Sequence, residues 1–190
     1  MQKFKKMRKL QTDEIIRISV TEFMEAEKIP VVVVLDNIRS QHNIGSVFRT
    51  ADAFRIEAVH LCGITAMPPS REIQKTALGA TESVVWKYYD STRQSITELK
   101  EAGYHIVSIE QVSGSIMVQD FMPDSGKYAL VLGNEVHGIA DDIIDLSDSC
   151  LEIPQAGTKH SLNIAVAAGI VLWEFFSKLN GFKMVVNKSR

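Results

Sequence analysis

The feature of this sequence that most constrains its fold is a set of short, nearly continuous apolar runs. The runs at 31–35, 128–132 and 150–153 show little alternation between apolar and polar residues. A strand has this composition when both of its faces are buried, which is typical of a parallel sheet covered by helices. Such runs alternate with helical patterns along the chain, so the sequence predicts an α/β fold with a mostly parallel sheet flanked by helices.

The predicted elements follow one another without a long linker. Strands are predicted at 31–35, 57–62, 83–87, 104–109, 128–132 and 150–153. Helices are predicted at 11–27, 43–54, before Leu78, 91–102, 140–146 and 161–179, and 110–127 is predicted to be irregular. Since no internal repeat or linker divides the chain, we expect one domain at 30–180. A short basic, helical extension at 1–29 precedes it, and a basic tail at 181–190 follows it.

The composition is that of an ordinary globular protein. Of the 190 residues, 45% are apolar and 23% are charged, and no apolar run has the length of a membrane span. Cys62 and Cys150 lie in separate strand-like runs without paired spacing, which favours a reducing compartment over a disulfide framework. No apolar segment of the signal-peptide type follows the N-terminus, so we expect a cytoplasmic protein without a membrane partner.

Basic residues concentrate at both ends of the chain, although the formal net charge is -2. Five of the first nine residues are Lys or Arg, and Lys183, Lys188 and Arg190 lie near the other end. Such ends could hold a phosphate backbone. Solvated termini have the same composition, and charge alone favours that second interpretation.

Three polar segments come after predicted strands, at 43–49, 133–138 and 160–163. In open α/β sheets, ligands bind beyond the carboxyl ends of the strands, so polar residues brought there from distant parts of a chain indicate one site. Loops that hold Asn, Arg, Glu and Ser beside glycines are where enzymes commonly place their chemistry. These segments therefore indicate an enzyme.

The common cofactor motifs do not fit the same segments. Gly133 and Gly138 have the spacing of a phosphate-binding loop, but Ile139 and Ala140 follow where Lys and Ser/Thr are required. No G-x-G-x-x-G follows the first strand, and the five histidines lack metal-ligand spacing. No Ser-His-Asp or Cys-His arrangement indicates covalent catalysis. We therefore expect neither an ATPase, nor a nicotinamide enzyme, nor a metal site.

Each candidate residue has an ordinary structural explanation when it is considered alone. Arg49, on the predicted helix 43–54, could form a surface salt bridge or a buried pair with Glu135. Ser161 suits the N-cap of the predicted helix 161–179, and Asn163 lies on its first turn. Taken singly, these residues leave the function open.

Together, the segments resemble the motifs of the SpoU/TrmH branch of the SPOUT methyltransferases. The first motif is similar to Asn-Ile-Gly-Ser-Val-Phe-Arg-Thr-Ala-Asp-Ala at 43–53, the second to Leu-Val-Leu-Gly-Asn-Glu-Val-His-Gly at 130–138, and the third to 153–168. Lys-Thr-Ala-Leu-Gly-Ala at 75–80 is a further similarity. Ala165 is a departure, since many relatives carry Ser there. The resemblance covers roughly residues 30 to 178.

The resemblance implies a fold with a C-terminal deep trefoil knot, and a homodimer whose site lies near the subunit interface. It also implies an RNA (ribose-2′-O-)-methyltransferase, which transfers a methyl group from S-adenosyl-L-methionine to a ribose 2′-hydroxyl. The expected substrate is tRNA, and ribosomal RNA is the alternative. A non-catalytic RNA-binding module and a small-molecule methyltransferase are the remaining hypotheses.

The same resemblance assigns the site residues. Catalytic roles fall on Asn43, Arg49, Glu135, Ser161 and Asn163, and cofactor contacts on Ile109, Gly133, Ile153 and Leu162. Because a guanidinium is almost never deprotonated in a protein, we interpret Arg49 as a fork that binds the phosphate beside the target ribose. Arg49 would also stabilise negative charge on the ribose oxygen, and Glu135 is expected to hold Arg49 in place. The remaining three catalytic residues are expected to build the pocket and position the ribose.

Overall fold

The computed structural model describes residues 8–15, 17–179 and 182–185. Within the predicted basic ends, Lys3, Lys5, Lys6, Lys188 and Arg190 lie outside the described residues. Both interpretations of these ends, solvated termini and phosphate contacts, are therefore untested, and the domain boundaries at 30 and 180 stay predictions.

Within the described residues, seven strands form one sheet in which every pairing is parallel. In chain order they are β1 (Ile29–Asp36), β2 (Ile56–Cys62), β3 (Val85–Tyr89), β4 (Tyr104–Ile109), β5 (Ile116–Met117), β6 (Lys127–Leu132) and β7 (Ser149–Glu152). Their order across the sheet is β3-β2-β1-β6-β4-β7-β5. The predicted α/β class with a parallel sheet is confirmed.

Helices cover both faces of this sheet. They are α1 (Val20–Glu25), α2 (Gln41–Ala53), α3 (Arg71–Ala77), α4 (Ala80–Ser83), α5 (Thr92–Glu101), α6 (Asp141–Ile144), α7 (Ile164–Lys178) and α8 (Phe182–Val185). The buried residues of α2, α3, α4 and α7 join one core, and those of α5 and α6 join a second. β1 supplies both cores, since Val31, Val33 and Leu35 belong to the first and Val32 and Val34 to the second. This two-sided burial explains why the strand is apolar without alternation.

The prediction of one helix at 11–27 is wrong. The structure has a short 3-10 turn at Thr12–Glu14 and then the separate helix α1. Ser19 ends the extended segment between them, because its hydroxyl accepts a hydrogen bond from the Glu22 N–H while the Glu22 carboxylate accepts from the Ser19 N–H. This capping box satisfies the free donors of a helix start and thereby fixes where α1 begins.

Two further boundaries differ from the predictions. The last long helix begins at Ile164 rather than at Ser161, because the Asn163 side chain caps it by accepting a hydrogen bond from the Ala165 N–H at 2.9 Å. β3 begins two residues later than predicted, since α4 occupies the chain up to Ser83. The segment 110–127, predicted to be irregular, contains the two-residue strand β5, which pairs with β7.

The strand order gathers four loops at one edge of the sheet. β1, β6, β4 and β7 are consecutive neighbours, and because they are parallel, their carboxyl ends lie on the same side. The second polar segment lies directly beyond the end of β6, the third follows β7 after the loop 153–159, and α2 starts shortly after β1. The deep trefoil knot that the resemblance implies stays a prediction. No helix within the described ranges combines the length and the apolarity that a bilayer-spanning helix needs.

Candidate active site

A cavity of about 730 Å³ opens at the carboxyl ends of β4, β6 and β7. The four predicted cofactor contacts line it: Ile109, Gly133, Ile153 and Leu162. Three of the predicted catalytic residues line it as well: Glu135, Ser161 and Asn163. Segments that are distant in the sequence therefore meet around one space of the size that small-molecule sites usually have.

The loop that follows β6 forms one wall of the cavity and is closed on itself. The Asn134 N–H donates to the Gly138 carbonyl at 3.0 Å, and the Gly138 N–H donates to the Asn134 carbonyl at 2.9 Å. Gly133 lies against this ring, where a Cβ atom would approach the Gly138 carbonyl oxygen to 2.6 Å. Gly138 has a φ of 67°, a left-handed conformation that favours glycine. Both glycines are thus required by the local geometry.

The Asn134 side chain fixes this loop to the end of β1, a role that the sequence analysis missed. Its Nδ2 donates to the Asn37 carbonyl at 2.7 Å, and its Oδ1 accepts from the N–H groups of Val136 and His137 at 2.9 and 3.1 Å. The contact with Asn37 joins residues 97 positions apart. No local sequence pattern reports such a contact, although Asn at the start of a tight loop is a known signal for side-chain to backbone hydrogen bonds.

Glu135 forms the junction between this loop and the start of α2. Its carboxylate accepts hydrogen bonds from the Arg39 N–H at 3.0 Å, the Ser40 N–H at 3.1 Å and the Asn43 Nδ2 at 3.1 Å. Burial by itself raises the pKa of Glu135, but these bonds, together with one from its own N–H, outweigh burial and lower the pKa. Glu135 is therefore an anion that the backbone holds in place.

Asn43 and Asn163 extend this junction into a chain of side chains. The Asn163 Nδ2 donates to the Asn43 Oδ1 at 3.1 Å, and the Asn43 Nδ2 donates to Glu135. The other end of the Asn163 amide caps α7, so one side chain sets both the start of that helix and the orientation of Asn43. The structure thus brings together three of the five predicted catalytic residues by direct hydrogen bonds. Ser161 is exposed at the cavity wall and does not cap α7.

Arg49 is the exception, and its predicted pairing with Glu135 is wrong within one chain. Among the described residues, no hydrogen bond or ion pair joins the two side chains, because the Glu135 carboxylate is bound to the start of α2. Arg49 follows Asn43 by six residues on that helix, which is about 9 Å along the axis and onto a different face. It is exposed and lines a second cavity of about 580 Å³ with Arg17, Arg55 and Phe176.

The charges on the first cavity are one-sided. Its lining includes four carboxylates, from Glu110, Glu135, Asp141 and Glu152, and neither Lys nor Arg. A cavity of this kind favours a ligand that carries positive charge. In the part of the chain that the structure describes, no group of three or more His, Cys, Asp or Glu side chains could hold a metal ion.

The fold and the cavity define an α/β domain with a ligand site at the carboxyl edge of its sheet. The profile of the SpoU rRNA Methylase family matches residues 30–173, and the chain belongs to that family. The family predicted from the three motifs is confirmed.

Three similar proteins illustrate the relationship. Over 145 residues, the chain is 34% identical to the 23S rRNA (guanosine-2′-O-)-methyltransferase RlmB of Neisseria meningitidis, with coverage of 76% of this chain and 57% of that protein. The AdoMet-bound rRNA methyltransferase from Sinorhizobium meliloti has a TM-score of 0.73 and 28% identity, covering 80% of this chain and 61% of that one. The TrmH/SpoU tRNA modifying enzyme of A. aeolicus has a TM-score of 0.76 and 25% identity, covering 87% and 83%. The chain spans about three fifths of the length of the curated relatives it matches.

Proposed function

We propose that this protein is an S-adenosyl-L-methionine-dependent RNA methyltransferase that acts on a ribose 2′-hydroxyl. The observation that carries the proposal is the hydrogen-bonded chain from Asn163 through Asn43 to Glu135 at the wall of the 730 Å³ cavity. Amides and a carboxylate held in this way are preorganised, so they can orient a hydroxyl without a further entropic cost of ordering these side chains during the reaction.

The cavity fits the proposed cofactor. When bound, S-adenosyl-L-methionine supplies an electrophilic methyl group on a positively charged sulfur, and its carboxylate cancels only one of its two positive charges. The carboxylates of the lining favour such a net cation. Gly133, at the end of β6, lets the backbone of Gly138 pack where a Cβ would lie, so that the loop closes beside the cavity. Ile109, Ile153 and Leu162 supply the apolar walls.

In the proposed mechanism, the chain's own residues position the ribose and its charge. Asn43, Ser161 and Asn163 orient the ribose, and Glu135 fixes the orientation of the Asn43 amide. Arg49 binds the neighbouring phosphate through its guanidinium fork and stabilises the negative charge that develops on the ribose oxygen as its proton passes to solvent water. Orientation of this kind lowers the barrier by several kcal/mol, up to about 7–11 in favourable cases.

The position of Arg49 leads us to propose a homodimer in which this residue serves the partner's cavity. The exposed side of α7 carries Leu162 just before the helix, then Val166, Gly169 and Trp173, at intervals of four, three and four residues. Such a stripe is the contact surface that two helices bury against each other. The stripe runs from the first cavity, beside Asn163, toward the second, where Phe176 lies with Arg49. A two-fold axis near Gly169 would therefore exchange the two ends.

We favour tRNA as the substrate and keep ribosomal RNA as the second candidate. The support is the structural likeness to the A. aeolicus tRNA modifying enzyme, whose TM-score of 0.76 exceeds the 0.73 of the Sinorhizobium meliloti rRNA methyltransferase.

The direct test is transfer of labelled methyl from S-adenosyl-L-methionine to total tRNA and, separately, to ribosomal RNA, both from cells that lack this protein. Nuclease digestion should then release labelled 2′-O-methyl nucleosides from the tRNA pool. Label in ribosomal RNA alone would replace the tRNA assignment. The absence of both transfer and cofactor binding would favour the RNA-binding module instead.

Three variants test the role of Arg49 in this reaction. Arg49→Ala should abolish transfer and leave cofactor affinity unchanged, whereas Arg93→Ala, which removes an exposed arginine that pairs with Asp142 at the surface, should remain active. Mixing and refolding Arg49→Ala chains with inactive Glu135→Ala chains should restore about a quarter of the activity, because half of the dimers then hold one complete site. If the mixture stays inactive, Arg49 does not act in the partner's cavity.

A further inference from the structure

We propose that Glu110 binds the ribose diol of the cofactor and thereby determines how the cofactor lies in the cavity. This inference rests on the proposed binding of S-adenosyl-L-methionine. Glu110 follows the last residue of β4 and lines the cavity directly beside Ile109, a predicted cofactor contact. It belongs to none of the three motifs in the sequence.

The carboxylate of Glu110 is held by the backbone on one side and retains free acceptor capacity on the other. Its Oε1 accepts from the Gln111 N–H at 3.0 Å, and its Oε2 accepts from the Ile139 N–H at 3.1 Å. Each carboxylate oxygen can accept about two hydrogen bonds. Among the described residues each oxygen has one donor, so about one acceptor position on each oxygen is left for a ligand.

The opposite wall of the cavity is shaped to admit this carboxylate. A Cβ atom on Gly138 would collide with the Glu110 Oε2, and the φ of 67° at Gly138 also excludes most side chains. The bond from the Ile139 N–H comes from the next residue of the same loop. The loop after β6 thus closes around Glu110, so its carboxylate has a fixed position rather than that of a surface side chain.

Two neighbouring oxygens that each need one donor match two neighbouring hydroxyl groups. A 2′,3′-diol provides such a pair, and an acidic side chain near a strand end binds ribose hydroxyls in dinucleotide-binding α/β folds. Glu135 is already occupied, because its carboxylate accepts three hydrogen bonds from the start of α2. Among the other carboxylates of the lining, Glu110 adjoins the predicted cofactor contact Ile109 and has both oxygens fixed by backbone N–H groups. We therefore assign the diol to Glu110.

Calorimetry with two ligands shows whether Glu110 binds the diol or the amino group of the cofactor. S-adenosylhomocysteine contains both, whereas 5′-methylthioadenosine contains the ribose but lacks the ammonium and the carboxylate. Glu110→Gln should weaken both ligands by about 10- to 100-fold, because a charged acceptor is lost from the same contact in each. Asp141→Asn removes the same charge from the cavity lining and should have a much smaller effect on both.

A third ligand keeps the test valid if Glu110→Gln disturbs the loop. The wild-type protein should bind 2′,3′-dideoxy-5′-methylthioadenosine more weakly than 5′-methylthioadenosine. The Glu110→Gln variant should bind these two compounds with equal affinity, because its contact with the hydroxyls is lost. If Glu110→Gln weakens S-adenosylhomocysteine but leaves methylthioadenosine unchanged, Glu110 binds the ammonium and the inference is wrong. Equal binding of all ligands by both proteins overturns it as well. If the wild type binds no S-adenosylhomocysteine, the proposed function itself is lost.

Discussion

Gly133 offers a sharp test of how the loop after β6 supports cofactor binding, through the substitution Gly133→Ala. The added Cβ would lie 2.6 Å from the Gly138 carbonyl oxygen, well inside the 3.4 Å at which ordinary contact begins. Two of the three nearest atoms belong to the Gly138 backbone and the third is the Ile139 Cγ1, so rotation of the Ile139 side chain alone cannot relieve the clash. The loop must therefore move, and the two hydrogen bonds between Asn134 and Gly138 that close it must stretch or break.

The magnitude follows from those two bonds. Each contributes about 0.5–1.5 kcal/mol net, so opening the ring costs about 1–3 kcal/mol. A similar range, about 1–3 kcal/mol, is typical of an overpacked site. The free protein can relax into the opened loop, so this cost appears when the ligand requires the closed one. We expect the dissociation constant of S-adenosylhomocysteine to rise by roughly 5- to 150-fold.

Isothermal titration calorimetry measures this effect, and Gly157→Ala is its control. Gly157 lies in the segment between β7 and α7, and a Cβ there would have nothing within 4 Å. Gly157→Ala should therefore bind the ligand as the wild type does. The melting temperature of Gly133→Ala should fall by no more than about 10 °C, since each kcal/mol shifts a domain of this size by only about 2–4 °C. Wild-type affinity in Gly133→Ala, or an equal loss in Gly157→Ala, would refute the reasoning.

Three further predictions follow from other parts of the molecule. Asn163→Asp should lose methyl transfer at an unchanged melting temperature, because aspartate still caps α7 but no longer donates to Asn43; an active variant would contradict the proposed chain. Burial lowers the pKa of His60 to about 4, so the unfolded chain takes up a proton between pH 6.5 and 4 that the folded chain does not. The stability that neutral His60 contributes is complete above pH 6.5 and should decrease by about 3 kcal/mol toward pH 4. Urea unfolding at pH 7.5 and 4.5 measures this decrease, and a His60→Gln variant with the same slope would exclude it. Gly169→Arg should convert the proposed dimer into monomers, and an unchanged mass by light scattering would argue against the α7 interface.

The strands of the sheet could be predicted from the sequence because burial on both faces requires consecutive apolar residues. β1 is apolar at successive positions since Val33 and Val34 face different cores, and that pattern is visible in five residues. The start of α7 was less accessible to prediction. Both Ser161 and Asn163 are good N-caps, and the helix begins at the later one, where the Asn163 side chain accepts from the Ala165 N–H and also donates to Asn43.

The roles of Asn134 and Glu110 could not be predicted for a different reason. Each depends on a partner that is remote in the sequence: Asn134 binds Asn37, 97 residues away, and Glu110 binds the N–H of Ile139, 29 residues away. Backbone partners leave no trace in residue type, because every residue except proline offers the same N–H group. Such contacts become visible only when the fold is known.

Asn43 and Arg49 belong to one continuous motif but lie on different faces of α2. Side chains on one face of a helix recur at intervals of three, four or seven residues, and Asn43 and Arg49 are six apart. If both had to reach a single cavity of one chain, α2 would need a different spacing or an unwound turn between them, and it is helical from Gln41 to Ala53. An interval of six instead suits a helix that supplies Asn43 to its own cavity and Arg49 to another. In the proposed homodimer, the unbroken helix fixes the distance between two sites. One motif then serves both sites, because its two ends reach different cavities.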